Sequence, residues 1–399
     1  MKTNLKYLIL ILLISTSLQK NLKVKKGIFD ETKIKNLKLK NRIIRGSVGD
    51  TFFCNGKILE EGYKFYEDLA KGEIGTIFTG YATVSDYDQF DTIKVFRIDK
   101  DKYIDEYKKL TTLVHKNNAN IIMQLVHIGA TTTTNVDRPY APSQITVPTT
   151  KKITKELSKD DILRIEDDFV KAAIRAKKSG FDGVEIHAAH LYLLSQFLSP
   201  IFNKRNDEYG GNNENRARII IEIIEKIRKE VGNDFIISLK INCNDDMENG
   251  ITEEGFLIAS QLAVKAGVDL IQVSGNEWLN KKGSKNIFFI EETKKLAEIV
   301  NVPVVLIGAV RDVDTIEKIL NESKIEYIGL ARPLICEPDL VKKWKEGKSK
   351  KAKCVSCNGC LINNFNCVFN KKKYNEYFYL RGFKILFFIS FFFFWIFFF

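Results

Sequence analysis

The chain has 399 residues, 45% hydrophobic and 28% charged, with a formal net charge of +12. That is enough apolar material for one large core or two modest ones. The positive charge is lysine spread over the whole length, with no basic patch interleaved with aromatics, so a nucleic-acid partner is not expected.

Residues 1–20, MKTNLKYLILILLISTSLQK, combine a basic start, an apolar run from Tyr7 to Ile14 and small residues afterwards. That is the pattern of a signal peptide or short anchor, and residues 1–26 are set aside as an apolar leader. From Gly27 to Gly347, β-branched apolar runs alternate with amphipathic helical stretches. Strands are expected at Arg42–Arg45, Gly75–Phe78, Asn120–Leu125, Gly183–Ile186, Phe235–Lys240, Leu270–Val273, Val304–Ile307 and Tyr327–Gly329. The helices between and after them are expected at Gly56–Ala70, Lys102–Lys116, Lys159–Lys178, Glu214–Glu230, Glu253–Ala266, Phe288–Ile299, Asp312–Leu320 and Asp339–Lys345. Ser158, Thr252 and Pro338-Asp339 supply start signals.

Continuous apolar strands alternating with helices call for a parallel sheet covered by helices. Eight such units fit a single (β/α)8 TIM barrel. A doubly wound dinucleotide fold would need a GxGxxG fingerprint, which this chain lacks. In a barrel, chemistry gathers just past the C-terminal ends of the strands. Those positions hold Ser47, Gly80, Gln124, His187, Lys240, Ser274, Gly308-Ala309 with Arg311, and Ala331-Arg332. The small residue paired with an arginine after each of the last two strands suits a phosphate held by backbone N–H groups and a guanidinium.

The most telling segment is Phe181 to Arg218, FDGVEIHAAHLYLLSQFLSPIFNKRNDEYGGNNENRAR. His187, His190 and Tyr192 leave the fourth strand together. Two imidazoles on one turn can aim at a single oxygen and stabilise negative charge there. The plainer readings are a structural or metal-binding histidine pair and a tyrosine that packs on its neighbours. Asp207 to Gly211 read as a tight loop, tied down by Asn215-Arg216, and Glu185 as a buried structural carboxylate.

This segment closely resembles the fourth βα unit of the Old Yellow Enzyme (NADH:flavin oxidoreductase) family of FMN-dependent ene-reductases. The likeness runs from about Phe29 to Pro338 through LKLKNRIIRGS, QLVHIG, APSQI, VPVVLIGAVR and IGLARPLICEPDL, which resemble successive family motifs in order. It implies bound FMN, NAD(P)H as hydride donor and a small electrophilic substrate such as an enone or dienoyl compound. By the same resemblance, His187 and His190 bind the substrate oxygen and Tyr192 donates a proton. Gln124 meets the pyrimidine edge of the flavin, and Lys240 stands beside N1 and O2 where most relatives have arginine. Ser47, Gly80, Gly308, Ala309, Ala331 and Arg332 complete the expected cofactor set. Leu191 departs from a usual glycine, Ala130 from an arginine, and Ala309 and Ala331 from glycines.

Cys54, Cys243 and Cys336 are scattered, whereas Cys354, Cys357, Cys360 and Cys367 fall in a C-x2-C-x2-C-x6-C run within residues 351–370. This pattern suggests a reduced, cytoplasmic compartment and a [4Fe–4S] or Zn²⁺ site, with vestigial cysteines as the alternative. The dienoyl-CoA and trimethylamine dehydrogenase-like branch of the family that the chain resembles carries a four-cysteine iron–sulfur site after the barrel, with wider spacing between its last ligands, and usually continues into dinucleotide-binding domains. Electrons are therefore expected from NAD(P)H directly or from a separate protein. Residues 371–399 form a basic linker and a Phe-rich tail, readable as a tail anchor, an interfacial segment or a translated low-complexity stretch. Membrane contact is expected only through these terminal segments. Two other readings are a barrel that has lost its flavin and, more remotely, a tRNA-modifying FMN barrel.

Overall fold

The computed structural model describes residues 25–369, apart from 55, 86–94, 133–135, 137, 277–285 and 364. Eight strands form the barrel: β1 (Ile43–Arg45), β2 (Thr76–Thr83), β3 (Asn120–Val126), β4 (Gly183–Ala188), β5 (Ile236–Asn242), β6 (Leu270–Ser274), β7 (Val304–Ile307) and β8 (Tyr327–Leu330). Each pairs in parallel with the next, and β8 closes on β1. The outer helices are α1 (Glu60–Lys71), α2 (Ile104–Lys116), α3 (Lys159–Lys178), α4 (Asn213–Val231), α5 (Glu253–Ala266), α6 (Ile290–Ile299), α7 (Val313–Glu322) and α8 (Leu340–Lys345).

Local chemistry explains where several helices begin. Ser158 accepts from the Asp161 N–H at 3.1 Å while Asp161 accepts from the Ser158 N–H at 3.1 Å, a reciprocal cap that opens α3. Thr252 caps α5 and Asp312 caps α7 by the same kind of side-chain acceptance. Glycine 267, at φ 111°, ends α5 in a left-handed turn. α1 starts at Glu60 and not at Gly56, because Lys57–Ile58 pairs antiparallel with Phe53–Cys54. α6 starts at Ile290, since Phe289 takes a left-handed φ of 60°.

A hairpin, Thr32–Ile34 with Leu37–Leu39, plugs the N-terminal mouth. Its Ile34 and Leu39 pack on Ile44, Phe78, Ile122, Ile236, Leu270, Val305 and Tyr327, giving the barrel an apolar floor. A larger cluster fills the space between strands and helices, with Phe169, Ile223 and Leu320 among its fully buried members. Each such side chain contributes roughly 1.5–3 kcal/mol through burial.

β2 extends past its expected end at Phe78. Phe78 faces Ile122 and Tyr81 faces Gln124, so β2 has one extra residue against β3. This bulge turns Tyr81 inward and Gly80 away from the axis. Lys26, the last residue of the expected leader, is fastened to the barrel by its N–H to Asn321 Oδ1 at 2.8 Å. Residues 1–24 of that leader and the Phe-rich tail lie outside the described residues. Among the described residues, no helix is long and apolar enough to cross a membrane.

Candidate active site

At the C-terminal end of the strands a cavity of about 330 Å³ opens over a polar layer that rests on the apolar floor. Ser47, Gln124, Lys240, Gly308, Ala309, Ala331 and Arg332 all line it, as do His187, His190 and Tyr192. Gly80 does not. Its N–H donates to Asp50 Oδ2 at 3.2 Å, and a Cβ there would meet the Asp50 carboxylate at 2.8–2.9 Å. That carboxylate also accepts from Tyr66 OH at 2.7 Å and pairs with the fully buried Arg45. Gly80 therefore packs against a buried ion pair behind β1 and β2, away from the cavity.

The polar layer is organised by Glu185. Its carboxylate accepts from Ser47 Oγ at 2.7 Å, from Gln124 Nε2 at 2.7 Å and from Ser238 Oγ at 3.3 Å. The carboxylate foreseen as structural thus sits directly under the site and orients two of its residues. Gln124 commits one amide N–H to Glu185, leaving its carbonyl and second N–H for the cavity. Lys240 donates to the Ser47 carbonyl at 3.2 Å. Burial pushes its ammonium down to about 8, with Glu185 opposing that shift and Arg45 reinforcing it. Beside Lys240 in the β5–β6 register is Gln272, fully buried, both of whose amide atoms lack a partner among the described residues.

His187 ends the inward-facing part of β4. The Ala189 N–H donates to its Nδ1 at 3.2 Å, which puts the ring proton on Nε2. Burial holds the pKa of His187 and of His190 well below the usual histidine range, and Lys240 adds to the effect on both. Both rings are thus neutral at pH 7. Their centroids are 5.1 Å apart, and the Tyr192 ring lies 4.9 Å from that of His187. His190 Nε2 meets Ser274 Oγ at 2.8 Å, and the His190 backbone N–H donates to Asn242 Oδ1 at 3.0 Å.

The turn carrying these groups is strained. His190 and Leu191 have φ of 60° and 58°, so Leu191 takes the conformation expected of a glycine. Gln196 Nε2 and Thr131 Oγ1 both donate to the Leu191 carbonyl, at 2.6 and 2.5 Å, and hold it there. Neighbouring interactions that over-determine a strained turn are typical of positioned functional groups. The loop that follows is tied down by Arg218, whose Nε donates to the Glu208 carbonyl at 2.6 Å, and not by Arg216.

At the opposite end of the cavity stand Arg311 and Arg332. Beyond Arg332, a second, small cavity is lined by Cys354, Cys357, Cys360 and Cys367. Cys336, scattered in the sequence, joins Cys354 and Cys367 in one buried cluster. Burial raises Cys354 and pushes Cys360 up to about 11. Among the described residues, no group of three or more histidine, cysteine, aspartate or glutamate side chains is placed to hold a metal ion. The four expected ligands are brought together around that one small cavity.

Known proteins agree with this architecture. The NADH oxidase of Thermoanaerobacter brockii is 36% identical over 353 residues, covering 84% of this chain and 53% of that protein. The cinnamate reductase of Clostridium sporogenes is 31% identical over 381 residues, covering 86% and 57%. The solved 2-naphthoyl-CoA reductase, in complex with 2-naphthoyl-CoA, superposes with a TM-score of 0.80 at 25% identity, over 85% of this chain and 55% of that one. This chain spans about half the length of the curated relatives it matches. With residues 27–351 matching the family profile and the barrel closing around the motifs that carry the match, the chain belongs to the NADH:flavin oxidoreductase / NADH oxidase family.

Proposed function

We propose that this chain is an FMN-dependent oxidoreductase that takes hydride from NAD(P)H and reduces the activated C=C bond of a small electrophile. The observation that carries this reading is the convergence of two neutral imidazoles and a phenol on one end of a cavity whose other end holds two guanidiniums.

The residues present fit FMN. Arg311, Arg332 and the backbone at Gly308-Ala309 would hold its phosphate, and Ile307 and Leu330 offer apolar wall to its rings. Gln124 and Lys240 would face its polar edge. When bound, FMN supplies a two-electron carrier that passes hydride from nicotinamide to the substrate carbon.

The chain's own groups do the rest. His187 offers an Nε2–H donor, and His190 stands beside it to bind the same oxygen of an enone or related acceptor. Because both rings are neutral, they stabilise charge developing on that oxygen by hydrogen bonding without giving up a proton beforehand. Tyr192 then protonates the α-carbon. A phenol is neutral at pH 7 and an adequate acid once charge has developed next to it. Lys240, held charged by Glu185, stabilises negative charge arising at the polar edge. One cavity serving both the donor and the acceptor implies ping-pong kinetics.

An anaerobic absorbance spectrum of the full chain, before and after NADH or NADPH, tests the reading. Flavin bands that bleach on addition and return when an enone is supplied are the expected result. A colourless protein that does not take up added FMN would overturn it.

A further inference from the structure

The two arginines at the anion end do not stand alone. Arg311 Nη2 donates to Ser356 Oγ, and Arg332 Nη1 donates to Asn358 Oδ1 at 2.5 Å. Both acceptors come from the cysteine-rich segment, which follows the barrel in sequence. The segment is docked against the loop after β7 by backbone bonds Ala352 N–H to Arg311 O at 2.8 Å and Val313 N–H to Lys350 O at 3.0 Å. Ser356 is only 4% exposed and itself lines the large cavity.

The backbone at these two positions is unusual. Ser356 and Asn358 have φ of 54° and 61°, on either side of Cys357. Glycine adopts that conformation at least cost, yet both positions carry side chains, and each of those side chains accepts from a cavity arginine. Arginine has many rotamers, so a guanidinium without a fixed acceptor loses its orientation.

We infer that Ser356 and Asn358 are positioning residues of the anion end, orienting Arg311 and Arg332 toward a phosphate monoester. The cysteine-rich segment is then part of the cofactor site and not only an appendage beside it. This rests on the FMN reading above.

Fluorescence titration of the flavin-free full chain with FMN and with riboflavin, which lacks the phosphate, separates the possibilities. Ser356→Gly and Asn358→Gly remove the acceptors while easing the left-handed backbone. Each is expected to raise the Kd for FMN about tenfold, the effect of one charge-assisted hydrogen bond, and to leave the Kd for riboflavin unchanged. The thermal midpoint of the flavin-free variants should stay level or rise. Unchanged FMN affinity, or a parallel loss for both flavins, or a lowered midpoint overturns the inference while the FMN reading stands. Wild-type chain that binds neither flavin overturns both.

Discussion

Lys240→Arg tests the electrostatics of the cavity in two independent ways. The lysine is 3% exposed and its ammonium is pushed from 10.5 down to about 8. On that value it is about nine-tenths charged at pH 7 and about one-tenth charged at pH 9. If the charge is needed for flavin reduction, the rate of bleaching by NADH, followed by anaerobic stopped flow, falls about tenfold between those pH values. Arginine stays charged throughout, so the variant loses this alkaline limb. Stability moves the opposite way. The unfolded chain keeps this lysine protonated up to 10.5, so above pH 8 it binds more protons than the folded protein. The contribution of Lys240 to stability therefore rises with pH, by about 2 kcal/mol from pH 8 to pH 10. Urea denaturation of flavin-free wild type and Lys240→Arg should show their difference growing by that amount over this interval. The reasoning fails if both proteins share the alkaline limb, or if their stability difference is independent of pH.

Tyr192→Phe should leave reduction by NADH intact and slow reoxidation by an enone about 10²- to 10⁴-fold, the usual worth of a positioned general acid; unaltered reoxidation removes Tyr192 from that role. At Gly308 a Cβ would come within 2.4 Å of the Phe288 carbonyl oxygen, so Gly308→Ala should displace that wall and lower flavin content on purification. Ser158→Ala removes half of the reciprocal cap of α3 and should cost about 1 kcal/mol in urea denaturation. Phe169→Ala, at a fully buried position of α3, should cost about 3–5 kcal/mol by the same measurement.

Much of the barrel could be read from the chain. α3 and α5 fall at Lys159–Lys178 and Glu253–Ala266 as expected, and β7 at Val304–Ile307. In the two helices a local cap coincides with a helical apolar period, and in the strand a short β-branched run is bounded by Pro303 and Gly308. The first helix was misplaced because Gly56 to Leu59 carry no signal that Lys57–Ile58 would find a strand partner. Most of the expected cofactor residues and all three expected catalytic ones line one cavity, since strand ends in a parallel barrel converge at one mouth.

The order of polar and small residues at eight strand ends was a property of the sequence alone, and it determined the fold class, the family and the set of groups available for chemistry. Which of those groups face the cavity was decided by tertiary structure. One extra residue in β2 sends Gly80 to Asp50 and Tyr81 to the site, because a bulge exchanges the two faces of a strand. Barrel closure puts Glu185 beneath Ser47 and Gln124, from strands far apart in sequence. Docking of the last segment brings Cys336 to Cys354 and Cys367, and Ser356 and Asn358 to the two arginines. Local pattern encodes periodicity and caps. Contacts between distant residues exist only once the ring of strands has closed and fixed their distances.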